Sequence, residues 1–171
     1  LLIMPIPSPA DPSAQASTDR IERQTVLRSP RSRVWQAIAD PQEFGAWFGA
    51  AIGAARFEPG VPAPARITYP GYEHVRFSFD IVAVEPERRL AFHWHPYAVK
   101  EGVDYSAEHP TLVEFLLADE PGGGTRLTVV ESGFDRVPAH RREEAFRMNS
   151  GGWDAQMQNV TRHVDGDQAP A

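Results

Sequence analysis

His93 and His95 stand two apart in a segment that alternates polar and apolar residues, so an extended chain puts both on one face. Hairpin arithmetic sets Asp80 opposite His95, and Glu114 faces the same way on a nearby strand. Two imidazoles and two carboxylates are the right types for a metal. They share the face that points away from the large apolar residues, so a solvated ion-pair patch is expected and no metal. His140 and His163 lie too far apart on one helix to share a site, and neither has a nucleophile partner. No G-x-S-x-G elbow, H-E-x-x-H or Walker loop occurs. Gly122–Gly124 leads into a strand and lacks the helix N-terminus that holds phosphate, so it reads as a hairpin turn. Asn159-Val160-Thr161 fits a glycosylation sequon but falls inside a helix, and Arg141-Arg142 reads as a solvated first turn. With no cysteine, thiolate chemistry, disulfides and Cys-based zinc sites are excluded. We expect no catalytic group and no cofactor.

What remains is binding chemistry. Phe77, Phe79, Phe92, Trp94, Phe115 and Trp153 fall on inward positions, where they either fill a core or wall a pocket. Gly151-Gly152 interrupts a helix at a cost of about 1 kcal/mol per glycine relative to alanine. Either the missing side chains leave room for a ligand or a kink, or they allow close packing on the sheet. Asn149 lies near the helix's apolar face and, if buried, needs hydrogen-bond partners; it could fix a ligand's polar end. No Asp, Glu or His is expected on the inward face.

The elements that must hold these residues are legible from periodicity. Phe146, Trp153, Met157, Val160 and Val164 make one face of a long helix over Val137–Val164. Before it come strands: Arg20–Ser29, Ala55–Glu58, Ala65–Tyr69, Phe77–Glu85, Leu90–His95, Thr111–Asp119 and Thr125–Ser132. In Phe77–Glu85 the residues Phe77, Phe79, Ile81 and Ala83 face inward. Two short helices follow the first strand, one capped by Ser29 or Ser32, the next by Asp40. Hairpin succession gives an antiparallel sheet, and only the last helix can cover its aromatic face.

The chain of 171 residues has a formal charge of -6, which argues against nucleic acid as a partner. One domain is expected over 19–165, with a flexible leader at 1–18 and a flexible tail at 166–171. No apolar run is long enough for a membrane span and no signal peptide is visible, so a cytoplasmic location is expected.

The segments SPRSRVWQAIADPQEFGAWF, VEPERRLAFHW and TLVEFLLADEPGGGTRLTVVESGF, followed by SGGW, resemble in order and spacing the START-like (SRPBCC) superfamily. Within it they are similar to the bacterial homologues of the activator of the heat-shock protein ninety ATPase. The resemblance covers about Arg20 to Val164. It implies an α+β helix-grip fold, a curved antiparallel sheet wrapped around the long C-terminal helix. It also implies a cavity between sheet and helix for a small hydrophobic molecule of lipid, polyketide or steroid kind, lined by Trp47, Phe48, Tyr69, Phe79, Trp94, Phe115, Asn149 and Trp153. Other branches are chaperone cofactors or cyclase- and hydrolase-like enzymes, so a chaperone partner is the alternative and an enzyme the third reading. Either a monomer or a homodimer is compatible. The chain departs from the family at Pro59, Pro62 and Pro64, which break a strand pair, and in the long Lys100–Pro110 stretch.

Overall fold

The computed structural model describes residues 17–166. Strand β1 (Arg20–Leu27) is followed by helices α1 (Arg31–Ala39) and α2 (Pro41–Phe48). Six strands come next: β2 (Ala50–Ile52), β3 (Pro62–Ile67), β4 (Arg76–Glu85), β5 (Arg89–Trp94), β6 (Thr111–Asp119) and β7 (Thr125–Ser132). A short 3-10 turn (Phe134–Arg136) then leads to α3 (Ala139–Asp165). The strands form one seven-stranded antiparallel sheet in the order β1-β7-β6-β5-β4-β3-β2. α3 lies across its inner face and α1 and α2 close one end, so the helix-grip architecture holds.

Local chemistry accounts for the joints. Asp40 accepts from the Gln42 amide and caps α2, with Pro41 preset at its first position. α1 starts at Pro30 without a side-chain cap, so neither Ser29 nor Ser32 serves there. Ser29 instead donates to Asp165, whose carboxylate also accepts from the backbone amides of Arg28 and Ser29. The end of α3 is thereby fixed to the end of β1. In the β6–β7 turn, Gly124 has φ +86, and a Cβ there would run into the Leu27 carbonyl, so only glycine fits.

Three expectations are corrected. No strand forms at Ala55–Glu58; the short β2 lies before it at Ala50–Ile52, and its partner β3 begins at Pro62 rather than Ala65. Both Pro62 and Pro64 lie inside β3, because β2 is too short to pair along that stretch and leaves it as edge. Second, the β4–β5 register shifts between Ile81 and Ala83. This bulge turns Val84 toward the core in place of Ala83 and leaves Val82 exposed. The bulge, together with a turn that pairs Glu85 with Arg89, sets Asp80 opposite His93, not His95. Third, α3 begins two residues later than its pattern suggested, after Pro138. The leader and tail expectations fall on residues outside those described, apart from Ser17, Thr18 and Gly166. The Thr18 hydroxyl donates to Asp135.

Candidate functional site: a ring-lined cleft above a buried carboxylate

The space between sheet and α3 is occupied by rings. Phe44 of α2 sits at its centre, with ring centroids 4.6 Å from Trp47, 5.5 Å from Phe79 and 5.8 Å from Phe115. Phe44, Phe79, Phe92 and Phe115 are buried. Phe44 therefore fills the middle of the hollow that the alternating aromatics suggested.

Room remains at the mouth, where α2, the β5 end and α3 meet. A cleft of two lobes, about 180 Å³ and 130 Å³, is walled in both by Phe48, Trp94 and Asn149. Ile67, Val75, Phe77 and Tyr97 complete the larger lobe; Gly152, Trp153 and Gln156 complete the smaller. Larger hollows lie elsewhere: about 430 Å³ around His74, Asp80, Lys100 and Asp104, and about 710 Å³ between β1 and α3 beside Arg23 and Asp154. Both have charged linings. We assign the candidate site to the smaller cleft, where apolar walls converge on a few polar groups.

Beneath this cleft is Glu131, which is fully buried. Its Oε2 accepts from Trp94 Nε1 and Thr111 Oγ1, each at 2.6 Å. Its Oε1 accepts from Trp153 Nε1 and Asn149 Nδ2, each at 2.9 Å. Burial pushes the Glu131 carboxyl pKa up, and the four hydrogen bonds oppose that shift. An indole can only donate, so each carboxylate oxygen must act as an acceptor. Glu131 thereby pins both tryptophans, whose rings stack at 5.7 Å, together with the asparagine of the cleft wall.

The expectation that no acid faces inward is thus overturned. Alternation in β7 puts Leu127, Val129 and then Glu131 on the same side, a signal two residues beyond the apolar pair. Four donors and full burial make Glu131 a positioning group rather than a base open to a ligand.

Of the eight residues expected to line a pocket, Phe48, Trp94, Asn149 and Trp153 meet at the cleft. Phe79 and Phe115 lie buried behind it, 6.0 Å from Trp94 and 5.8 Å from Trp153 respectively. Trp47 and Tyr69 are on the far side of Phe48, beside a shallow depression. The Trp47 indole donates to the Ala37 carbonyl, and the Tyr69 hydroxyl of a 44% exposed side chain donates to the Phe48 carbonyl. At Gly151 and Gly152 an added Cβ would meet nothing within 4 Å, so the pair does not serve close helix–sheet packing. Gly152 instead leaves the smaller lobe open.

The histidines separate. His93 hydrogen-bonds the Thr111 carbonyl and Glu114 accepts from Arg89, and no metal-competent group occurs among the described residues. His95, just past the end of β5, lines the cleft; burial holds its imidazole below the usual range, opposed by Glu108. Arg141, read as a solvated residue, is a clasp. Its Nε donates to Glu108 at 2.7 Å, its Nη1 to the Pro96 carbonyl at 2.7 Å, and its guanidinium lies 4.8 Å from the Tyr105 ring centre. It ties the 95–110 loop, which supplies Tyr97, Ala98 and Val99 to the cleft wall, to the first turn of α3.

Residues 28–165 match the family model described as Activator of Hsp90 ATPase homolog 1-like protein. The chain belongs to that family. No curated protein sequence matches it. Among solved structures it is similar to DynU16, a protein in the dynemicin biosynthetic locus, at 23% identity and TM-score 0.65. That match covers 85% of this chain but only 47% of DynU16, so the chain spans about half the length of that relative. It is also similar to CalU16 from Micromonospora echinospora, with 23% identity, TM-score 0.59 and coverage of 88% and 77%. The Aha1 dimer from Colwellia psychrerythraea matches at 12% identity and TM-score 0.64, covering 87% of this chain and 98% of that one. At these identities the likeness establishes the shared fold. Among the described residues no helix is long and apolar enough to cross a membrane.

Proposed function

We propose that this helix-grip domain binds a small, largely apolar molecule in the cleft between Phe48, Trp94 and α3. The observation that carries the reading is convergence. Phe48, Trp94, Trp153 and Asn149 come from three separate elements, meet at one opening, and all but Phe48 are fixed by one buried carboxylate. Placing an acid in an apolar interior is costly unless it is fully paired, and here three of its four partners are side chains that shape the opening. The relative from the dynemicin locus is compatible with small-molecule work on this fold. The filled centre limits the guest to the mouth.

The test is native mass spectrometry of the full chain purified from its own source, beside the variant Gly152→Met. A co-purified small molecule held by the wild type and absent from the variant is expected. Consistently empty wild-type protein that also binds no added apolar compound would remove the proposal.

A second reading, a protein-interaction role with a chaperone ATPase or with a second copy of this chain, is favoured by the family match. The exposed Val61, Tyr72, Val82 and Val103 could serve such a contact. Recovery of a chaperone ATPase in a pull-down that Gly152→Met leaves unchanged would support it over the first.

A further inference from the structure

Asn149 is the polar member of both lobes whose orientation can be deduced. Glu131 Oε1 already accepts from the Trp153 indole and lies 2.9 Å from Asn149 Nδ2, so the amide turns its NH2 inward to donate. Protonation of Glu131 does not reverse this. A carboxyl proton belongs on Oε2, where Thr111 Oγ1 at 2.6 Å can accept it and turn its own hydrogen toward the Trp94 carbonyl at 3.5 Å. Oε1 remains an acceptor in either state. The Asn149 Oδ1 is then the free end. It accepts no hydrogen bond from the described residues, and it is not among the buried atoms that lack a partner, so it is open to solvent at the cleft.

Size supplies the second constraint. A dry apolar cavity of about 150 Å³ accommodates one benzene ring, and the larger lobe offers about 180 Å³ with the second of 130 Å³ adjoining it. That suits one or two rings and is too small for a sterol skeleton. Its walls carry the edges and faces of Phe48, Phe77, Trp94 and Tyr97, which favour tilted ring contacts.

We propose, building on the ligand-binding reading above, that the cleft is selective for a one- or two-ring aromatic molecule bearing a hydrogen-bond donor, such as a phenol or an indole, which donates to Asn149 Oδ1. The buried carboxylate then acts as a specificity-determining residue at one remove. It selects donors over acceptors by dictating which end of the asparagine amide faces the guest.

The experiment titrates full-chain protein with 2-naphthol and with 2-methoxynaphthalene, which match in ring size but differ in the donor. Decanoic acid serves as a lipid comparator, and tryptophan fluorescence and calorimetry are the readouts. The expected result is 2-naphthol binding about five- to tenfold tighter than the methyl ether, the worth of one net hydrogen bond. In Asn149→Leu that preference should fall to about one while ring binding persists. Gly152→Met, whose Cβ enters open space and whose side chain fills the smaller lobe, should weaken both naphthalenes together. Equal affinity for the two in wild type, or a preference that survives Asn149→Leu, overturns the inference. If decanoic acid binds, is blocked by Gly152→Met and outcompetes both naphthalenes, the inference falls while the ligand-binding reading stands. If no probe binds in a way that Gly152→Met alters, both fall.

Discussion

Two buried regions lie side by side in this molecule and are held by different physics. Around Phe44 the rings of Phe79, Phe92 and Phe115 pack without a polar atom among them. Their attraction is non-directional and scales with buried area. Around Glu131 two indoles, a hydroxyl and an amide converge on two oxygens, and each bond has a direction. The first region accepts changes of shape that preserve volume. The second depends on which atom donates.

Substitutions can break or sharpen that contrast. The largest effect is expected from Phe44→Ala, which removes the central ring and leaves a cavity, costing about 3–5 kcal/mol in urea unfolding. A loss below about 1 kcal/mol would mean that the centre collapses freely. Glu131→Gln comes next. It is nearly isosteric, yet whichever oxygen becomes NH2 faces an indole N–H, so about 1–3 kcal/mol should be lost. An unchanged midpoint would show that the carboxylate is replaceable and the knot is not directional. Leu90→Met, an equally conservative swap in the apolar region, should cost less than about 1.5 kcal/mol. If it costs more than Glu131→Gln, the comparison is inverted.

The pH response is the finest discriminator. With its pKa raised by burial, the folded Glu131 retains a proton that the unfolded chain has released. Its contribution to stability is therefore full below the ordinary carboxylate range and is lost as pH rises through the raised value. None of its four partners titrates in that range, so the difference between wild type and Glu131→Gln isolates it. A wild-type advantage that grows toward neutral pH would show that the hydrogen bonds outweigh burial.

The apolar region was legible in the sequence because alternation at Phe77–Phe79–Ile81 and Leu90–Phe92–Trp94 reports burial directly. The helix face carrying Trp153 followed from its spacing for the same reason. The polar region was half legible. Asn149 and Trp153 were readable as residues near the helix's apolar face, but their anchor was missed because the inward face of β7 was ended at Val129. Strict alternation continued to Glu131. The bulge that exchanges Ala83 for Val84 leaves no mark in a pattern of consecutive apolar residues. Arg141 was out of reach too, since its partner Glu108 is 33 residues away and only the folded loop brings it close.

The order of the sheet has a consequence for how the chain is made. β1, which precedes the other strands of the sheet in the chain, pairs with β7, from Arg20↔Ser132 to Leu27↔Thr125. Until roughly a hundred further residues have been translated, about 5–20 s at the usual range of elongation rates, it has no ladder partner. Such long-range closure slows folding. Arg20, Glu22, Arg23 and Arg28, in and just beyond that waiting strand, supply the charge that discourages a nascent edge from pairing with the wrong neighbour.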